Sequence, residues 1–195
     1  MTARERILER VARATAGREK VPHPGALAAP PARDPVAAFV KRFKSNGGEV
    51  VEPDPGRSAS AWLTGFLEGL DPRVVGVAVG QEVPPEQRPG MPEIAAAHAG
   101  AGVSVAWAAV ADSGSLILAS SGMRAVQLLP PVHVVWVPEG RVFARLEDAL
   151  AELRALDDAL PAAVALHSGP SKSADIGQTV VTGVHGPGRC IAVMG

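Results

Sequence analysis

A chain of 195 residues, 47% hydrophobic and with a formal net charge of -1, is long enough to bury a core of its own. That balance gives no attraction for nucleic acid or an anionic membrane, and with no Tyr, three Trp and four Phe there is no stacking platform for bases. The single cysteine, Cys190, excludes an intramolecular disulfide and any cysteine-built iron–sulfur or zinc cluster made by this chain alone.

The opening Met1-Thr2-Ala3-Arg4-Glu5-Arg6 has charges and no apolar stretch, so no signal peptide is expected. No apolar run has the length of a membrane-spanning helix, and a cytoplasmic protein is the expectation. Residues 4–15 have helical spacing, with Ile7, Leu8 and Val11 forming a narrow apolar stripe. Residues 21–31 are too rich in proline for a helix or a central strand and read as an extended linker. An N-terminal arm over 1–33 is therefore expected ahead of a domain over 34–195. The arm is either a docking element or a loosely packed chain end, and the second is the reading taken.

Asp34-Pro35 predicts a helix start, an N-cap followed by proline in the first turn. Val36, Phe39, Val40 and Phe43 then follow at the spacing of one helix face. Lys41, Arg42 and Lys44 fall on its wet side. Gly47-Gly48 closes this helix and Glu49-Val50-Val51 begins a short strand. Ser58 or Ser60 caps a second helix carrying Leu63, Phe66, Leu67 and Leu70, which Asp71-Pro72 ends. Residues 74–79 are continuously apolar, as in a strand buried on both faces. Alternating helices and apolar strands predict an α/β fold with an open, mostly parallel layered sheet.

Val103, Val105 and Trp107 alternate with smaller residues in a run that continues to Val110. Asp112-Ser113-Gly114-Ser115 breaks the run and Leu116-Ile117-Leu118 resumes it, which predicts a hairpin over 105–118 with Gly114 free to take positive φ. A further apolar run, 125–129, leads into Pro130-Pro131, and a valine-rich strand follows from Val132 to Val137. A last helix carries Leu146, Ala149, Leu150 and Leu153 on one face and is expected to continue to Leu160. A strand-like run ending near Leu166 leads into a cluster of hydroxyls, an acid and a histidine between two Gly-Pro turns, and an apolar run from Cys190 to Met194 leads out. No G-x-G-x-x-G or P-loop pattern is present, so no dinucleotide site is expected.

Three blocks in this order resemble the LUD-domain family, in its lactate utilization protein C branch. They are Ala111-Asp112-Ser113-Gly114-Ser115-Leu116, similar to a family Ala-Glu-Thr-Gly-Thr pattern; Leu129-Pro130-Pro131-Val132-His133; and the C-terminal block. This last comprises Ser168-Gly169-Pro170-Ser171, Ser173-Ala174-Asp175-Ile176 and Gly183-Val184-His185-Gly186-Pro187. The likeness runs from about residue 39 to the end. It departs at Gly177, where family members usually carry Glu. The resemblance implies a fold like that of ribose-5-phosphate isomerase and the CoA transferases. It also implies a part in oxidising L-lactate to pyruvate beside partner proteins that carry iron–sulfur clusters, with no cofactor held by this chain.

The hydroxyls of Ser113, Ser115, Ser168, Ser171 and Ser173, with the turn at Gly169, are candidates to bind a small carboxylate or phosphate through O–H and backbone N–H donors. The same serines can instead make local turn bonds. Asp175 and His185 are candidates for proton transfer from a 2-hydroxy acid, or else a helix cap and a turn residue. His133 and Asp112 complete the catalytic candidates; a strand histidine is often simply buried and bonded, and Asp is common in turns. His23, His98 and His167 have no supporting context. A metal site from His133, His185, Asp112 and Asp175 is conceivable by ligand type, but no spacing selects it and none is expected. Two other functions stay open: a stand-alone enzyme acting on a phosphorylated or CoA-linked small molecule, and a regulatory or assembly protein without catalysis.

Overall fold

A computed structural model of the chain describes residues 2–18, 30–70, 76–119, 124–156, 160–174 and 180–195. Its contacts divide into two units, Met1–Pro30 and Pro31–Gly195. In the first, helix α1 (Ala3–Thr15) starts at a capping box. The Thr2 hydroxyl accepts from Glu5 N, and the Glu5 carboxylate accepts from Thr2 N at 2.7 Å. None of its residues is buried.

In the second unit, helix α2 (Pro35–Ser45) begins where the Asp34 carboxylate accepts a hydrogen bond from Ala37 N at 3.0 Å. Phe39 and Phe43 are fully buried with rings stacked at 5.3 Å, whereas Val36 stays exposed. Strand β1 (Glu49–Val51) follows. Helix α3 (Ala59–Leu70) is capped by Ser58, whose hydroxyl accepts from Ala61 N, and it buries Trp62, Leu63 and Leu67. The next elements are β2 (Val77–Val79), β3 (Ala101–Val105), β4 (Ala108–Val110), β5 (Ser115–Ala119), helix α4 (Arg124–Leu128) and β6 (Val132–Val137). The chain closes with β7 (Val142–Phe143), helix α5 (Leu146–Arg154), β8 (Val164–His167), β9 (Lys172–Ala174), β10 (Val180–Thr182) and β11 (Arg189–Met194).

The central sheet has the order β1-β11-β6-β3-β2, and every neighbouring pair is parallel. Its strands are apolar along their length because both faces are covered. Period-two alternation divides them: Val134, Trp136, Ile191 and Val193 meet Trp62, Leu63 and Leu67 of α3. Val135, Val137, Cys190 and Ala192 face the other way, toward Phe39, Phe43, Leu116 and Leu118. The architecture is an open α/β fold with a mostly parallel central sheet, as the alternating pattern predicts.

The predicted hairpin is present as β4 and β5, paired antiparallel, with Gly114 at φ +62 in the turn. It belongs to a second sheet of order β7-β4-β5-β8. The alternating run from Val103 to Val110 is therefore two strands in two sheets. Ala106 N still donates to Trp136 O of the central sheet at 2.8 Å, and Trp107 N already donates to Ile117 O of the second, also at 2.8 Å. The Trp107 ring anchors the switch, lying parallel to Phe143 at 6.0 Å with the Arg141 guanidinium 4.3 Å above it. Two further differences are local. The apolar run before Pro130-Pro131 forms helix α4, and α5 ends at Arg154 rather than reaching Leu160. The linker over 21–31, apart from its last two residues, and the start of the strand read from residue 74 lie outside the described residues. Among the described residues no helix is long and apolar enough to cross a membrane.

Candidate functional site

Strand β8 ends at His167, and the chain turns through Ser168-Gly169-Pro170-Ser171 into β9. The turn requires glycine: Gly169 has φ +101, and a Cβ there would lie 2.8 Å from Asn46 O. That carbonyl, at the end of α2, also accepts from Lys172 Nζ. The Asn46 side-chain amide donates to Ser113 O at 3.1 Å, so one residue holds both the β8–β9 loop and the hairpin tip. On the far side, residues 183–187 lead into β11. Ser171 N donates to Pro187 O, and Gly183 N donates to Ser171 O, each at 2.9 Å, which aligns the two loops side by side.

Between these loops lies a cleft of about 380 Å³ lined by residues 166–172 and 185–187 together with Leu128 and Cys190. Cys190 is the second residue of β11, and its register partner His133 is the second residue of β6. The cleft thus opens at the amino ends of the central strands. Open parallel sheets more commonly bind ligands at the carboxyl ends.

Behind the cleft wall a few polar side chains are buried in the apolar core. His133 is fully buried, with Nε2 3.0 Å from the Ser104 hydroxyl of β3 and Nδ1 without a hydrogen-bond partner among the described residues. Burial, and secondarily the neighbouring His167, push its pKa down to about 3. His167 is also held below the usual imidazole range by burial. Cys190 is pushed up to about 12, first by burial and then by the Glu49 carboxylate. That carboxylate is held by Arg189 in a two-pronged pair, Nε to Oε1 and Nη2 to Oε2, both at 2.8 Å. At neutral pH the imidazoles of His133 and His167 are uncharged and the thiol keeps its proton.

The structure brings most of the sequence candidates together. Ser168, Gly169, Ser171 and His185 line the cleft. Ser115 reaches it through its hydroxyl, 2.6 Å from that of Ser168. His133 lies beside it, its ring edge-on to His167 with centroids 5.5 Å apart. Ser113 turns its carbonyl to Asn46, and its hydroxyl has no partner among the described residues. Ser173 pairs with Val181 in the β9–β10 ladder and is not part of the lining. Asp112 is exposed and accepts from Leu146 N at 3.1 Å, so its carboxylate serves the start of α5 rather than the cleft. Asp175 and Gly177 lie outside the described residues. Among the lining residues not offered as site candidates from the sequence, three carry titratable side chains: His167, Lys172 and Cys190. His167 and Lys172 flank the Ser168–Ser171 turn, and that adjacency is the signal that points to them.

A sequence model of the LUD domain matches residues 85–194. Among curated proteins, the chain is similar to lactate utilization protein C of Bacillus licheniformis, 32% identical over 162 residues, covering 77% of this chain and 64% of that protein. It is also similar to lactate utilization protein C of Shouchella clausii, 38% identical over 90 residues, covering 44% of this chain and 39% of that protein. The chain thus spans less than two thirds of the length of these relatives. A crystal structure of a DUF162 family protein from Deinococcus radiodurans shares the fold, with a TM-score of 0.58 and 20% identity over 83% of this chain and 96% of that one.

Proposed function

The chain belongs to the LUD-domain family, and from that footing we propose that it works in lactate utilization as the cluster-free component of a cytoplasmic L-lactate-oxidising system. Its task is to bind a small carboxylate, lactate in the first place, beside partner proteins that carry the iron–sulfur clusters. The observation that carries this reading is convergence. The C-terminal block forms the two loops of the cleft, the hairpin block reaches it through Ser115, and the block ending at His133 lies directly behind it.

The chemistry of the cleft suits the ligand. Its volume of about 380 Å³ accommodates a three-carbon acid with water. The Lys172 ammonium and the hydroxyls of Ser168 and Ser171 complement a carboxylate. His167 and His185 place imidazoles in the lining of the cleft, where they suit the hydroxyl of a 2-hydroxy acid. Oxidation of a 2-hydroxy acid to the 2-oxo acid releases two electrons and two protons. With one cysteine this chain ligates no iron–sulfur cluster by itself, so the electrons leave through partner clusters while this chain binds and orients the acid. The test is reconstitution with iron–sulfur partners and measurement of lactate-dependent dye reduction with and without this chain. Loss of reduction in its absence is expected; unchanged reduction overturns the proposal.

A further inference from the structure

Three strands that are distant in sequence, β6, β8 and β11, bring one ring nitrogen of His133, one ring nitrogen of His167 and Cys190 Sγ to within 4.8 Å of one another. Register makes this possible. His133 and Cys190 are direct partners on adjacent parallel strands, so their side chains leave the sheet on the same face. His167 arrives from the second sheet, as the last residue of β8 opposite Leu116.

A second, independent observation is that His133 Nδ1, in a fully buried ring, has no hydrogen-bond partner among the described residues. A buried polar atom left unpaired is costly, and native interiors rarely leave one without a reason. The ring's other nitrogen, Nε2, meets Ser104 Oγ at 3.0 Å. When Nε2 donates its proton to that hydroxyl, the Nδ1 lone pair is free to point at the other two residues. Ligand histidines are oriented in this way, with the non-ligating nitrogen tied to a polar neighbour.

We propose that His133 Nδ1, His167 and Cys190 Sγ form a three-ligand site for a divalent transition-metal ion, with zinc favoured by the ligand set. Two imidazoles and one thiolate match the borderline-soft character of that ion. A tetrahedral site with Zn–N and Zn–S bonds of about 2.0–2.3 Å places ligand atoms about 3.3–3.7 Å apart, a side-chain adjustment away from the spacing present. Cys190 binds as the thiolate, its proton passing to solvent. His167 and Cys190 both line the cleft, so the fourth position opens into it. Three protein ligands and one open position is the arrangement of catalytic rather than structural zinc. The inference does not depend on lactate being the ligand of the cleft.

The test uses the full chain, stripped with chelator and titrated with Zn²⁺ or Co²⁺. One equivalent is expected to bind, with a thiolate-to-cobalt charge-transfer band and a rise in Tm of about 5–10 °C at a hundredfold excess over Kd. His133→Gln keeps the Ser104 contact and removes Nδ1; His167→Gln, at a partly exposed strand end, guards against a folding defect in the first variant. Both are expected to weaken binding at least about a hundredfold, beyond the loss seen when only an orienting neighbour is removed. Cys190→Ser is expected to abolish the charge-transfer band, and His98→Gln to change nothing. Absence of stoichiometric binding by the native chain, or binding unchanged in both glutamine variants, overturns the proposal.

Discussion

The hydroxyls of Ser115 and Ser168 lie 2.6 Å apart, one at the start of hairpin strand β5 and the other on the loop that walls the cleft. Ser115 is almost fully buried and Ser168 is exposed, so the bond fastens a surface loop to a buried strand. Ser115→Ala removes one hydrogen bond and is expected to cost about 1 kcal/mol, or about 2–4 °C in Tm. Differential scanning calorimetry reads this directly, and an unchanged Tm would show that the contact contributes nothing.

The buried imidazole of His133 makes the fold acid-sensitive in a defined window. In the presence of chelator its folded pKa is about 3 against an ordinary value of 6.5, so between those values only the unfolded chain binds the proton. Its contribution is fully present above pH 6.5 and is lost as pH falls toward 3, by about 1.4 kcal/mol per unit. His167, lowered by burial, adds in the same direction. Urea midpoints measured across the window are expected to fall with pH in the native chain and to fall less steeply in His133→Gln. Parallel profiles for the two proteins would refute the assignment.

Cys190 is expected to resist alkylation. Burial and the Glu49 carboxylate push its thiol up to about 12, and the thiolate is the reactive species. Iodoacetamide at mildly alkaline pH with chelator present is expected to leave the folded chain unmodified and to label it rapidly in urea. Mass spectrometry distinguishes the two states, and fast labelling of the folded protein would contradict the burial.

Gly169 tests the loop itself. At φ +101, with a backbone oxygen 2.8 Å from where a Cβ would stand, Gly169→Ala forces the turn away from Asn46. A cost of about 1–3 kcal/mol is expected, together with weaker ligand binding. Gly17→Ala, where a Cβ would meet nothing within 4 Å although φ is +76, separates the backbone strain from the clash.

Lys172 tests the charge of the cleft. Lys172→Met keeps the length of the side chain and removes the ammonium, and it is expected to weaken binding of lactate about tenfold, the order of one charge-assisted hydrogen bond. Isothermal titration calorimetry provides the comparison, and equal affinities would place the carboxylate elsewhere.

Local patterns carried much of the fold. Asp34 and Ser58 cap helices where their positions before apolar periodic runs predict them. The continuous apolar runs at β6 and β11 became buried parallel strands, and Gly114 took the turn it was suited to. These features depend on neighbours within one or two turns of chain, which the order of residues specifies directly. Val36 departs from its predicted face because it lies in the first turn of α2, where exposure is decided by what the helix end meets.

The site was legible only in part, and the reason is its geometry. Ser168 and its turn, His133 and His185 stood out because they sit in compact blocks of unusual residues. His167 and Cys190 did not, since each alone is an ordinary residue at the end of, or inside, a strand. By itself the sequence determined the elements, their caps and the blocks that mark the family. Tertiary structure alone decided that the chain changes sheets between Ala106 and Trp107 and that β11 lies in register with β6. Strand register is a long-range choice among many backbone pairings of similar local energy, settled by which side chains the whole core can bury together. That choice placed Cys190 beside His133 and brought His167 over both.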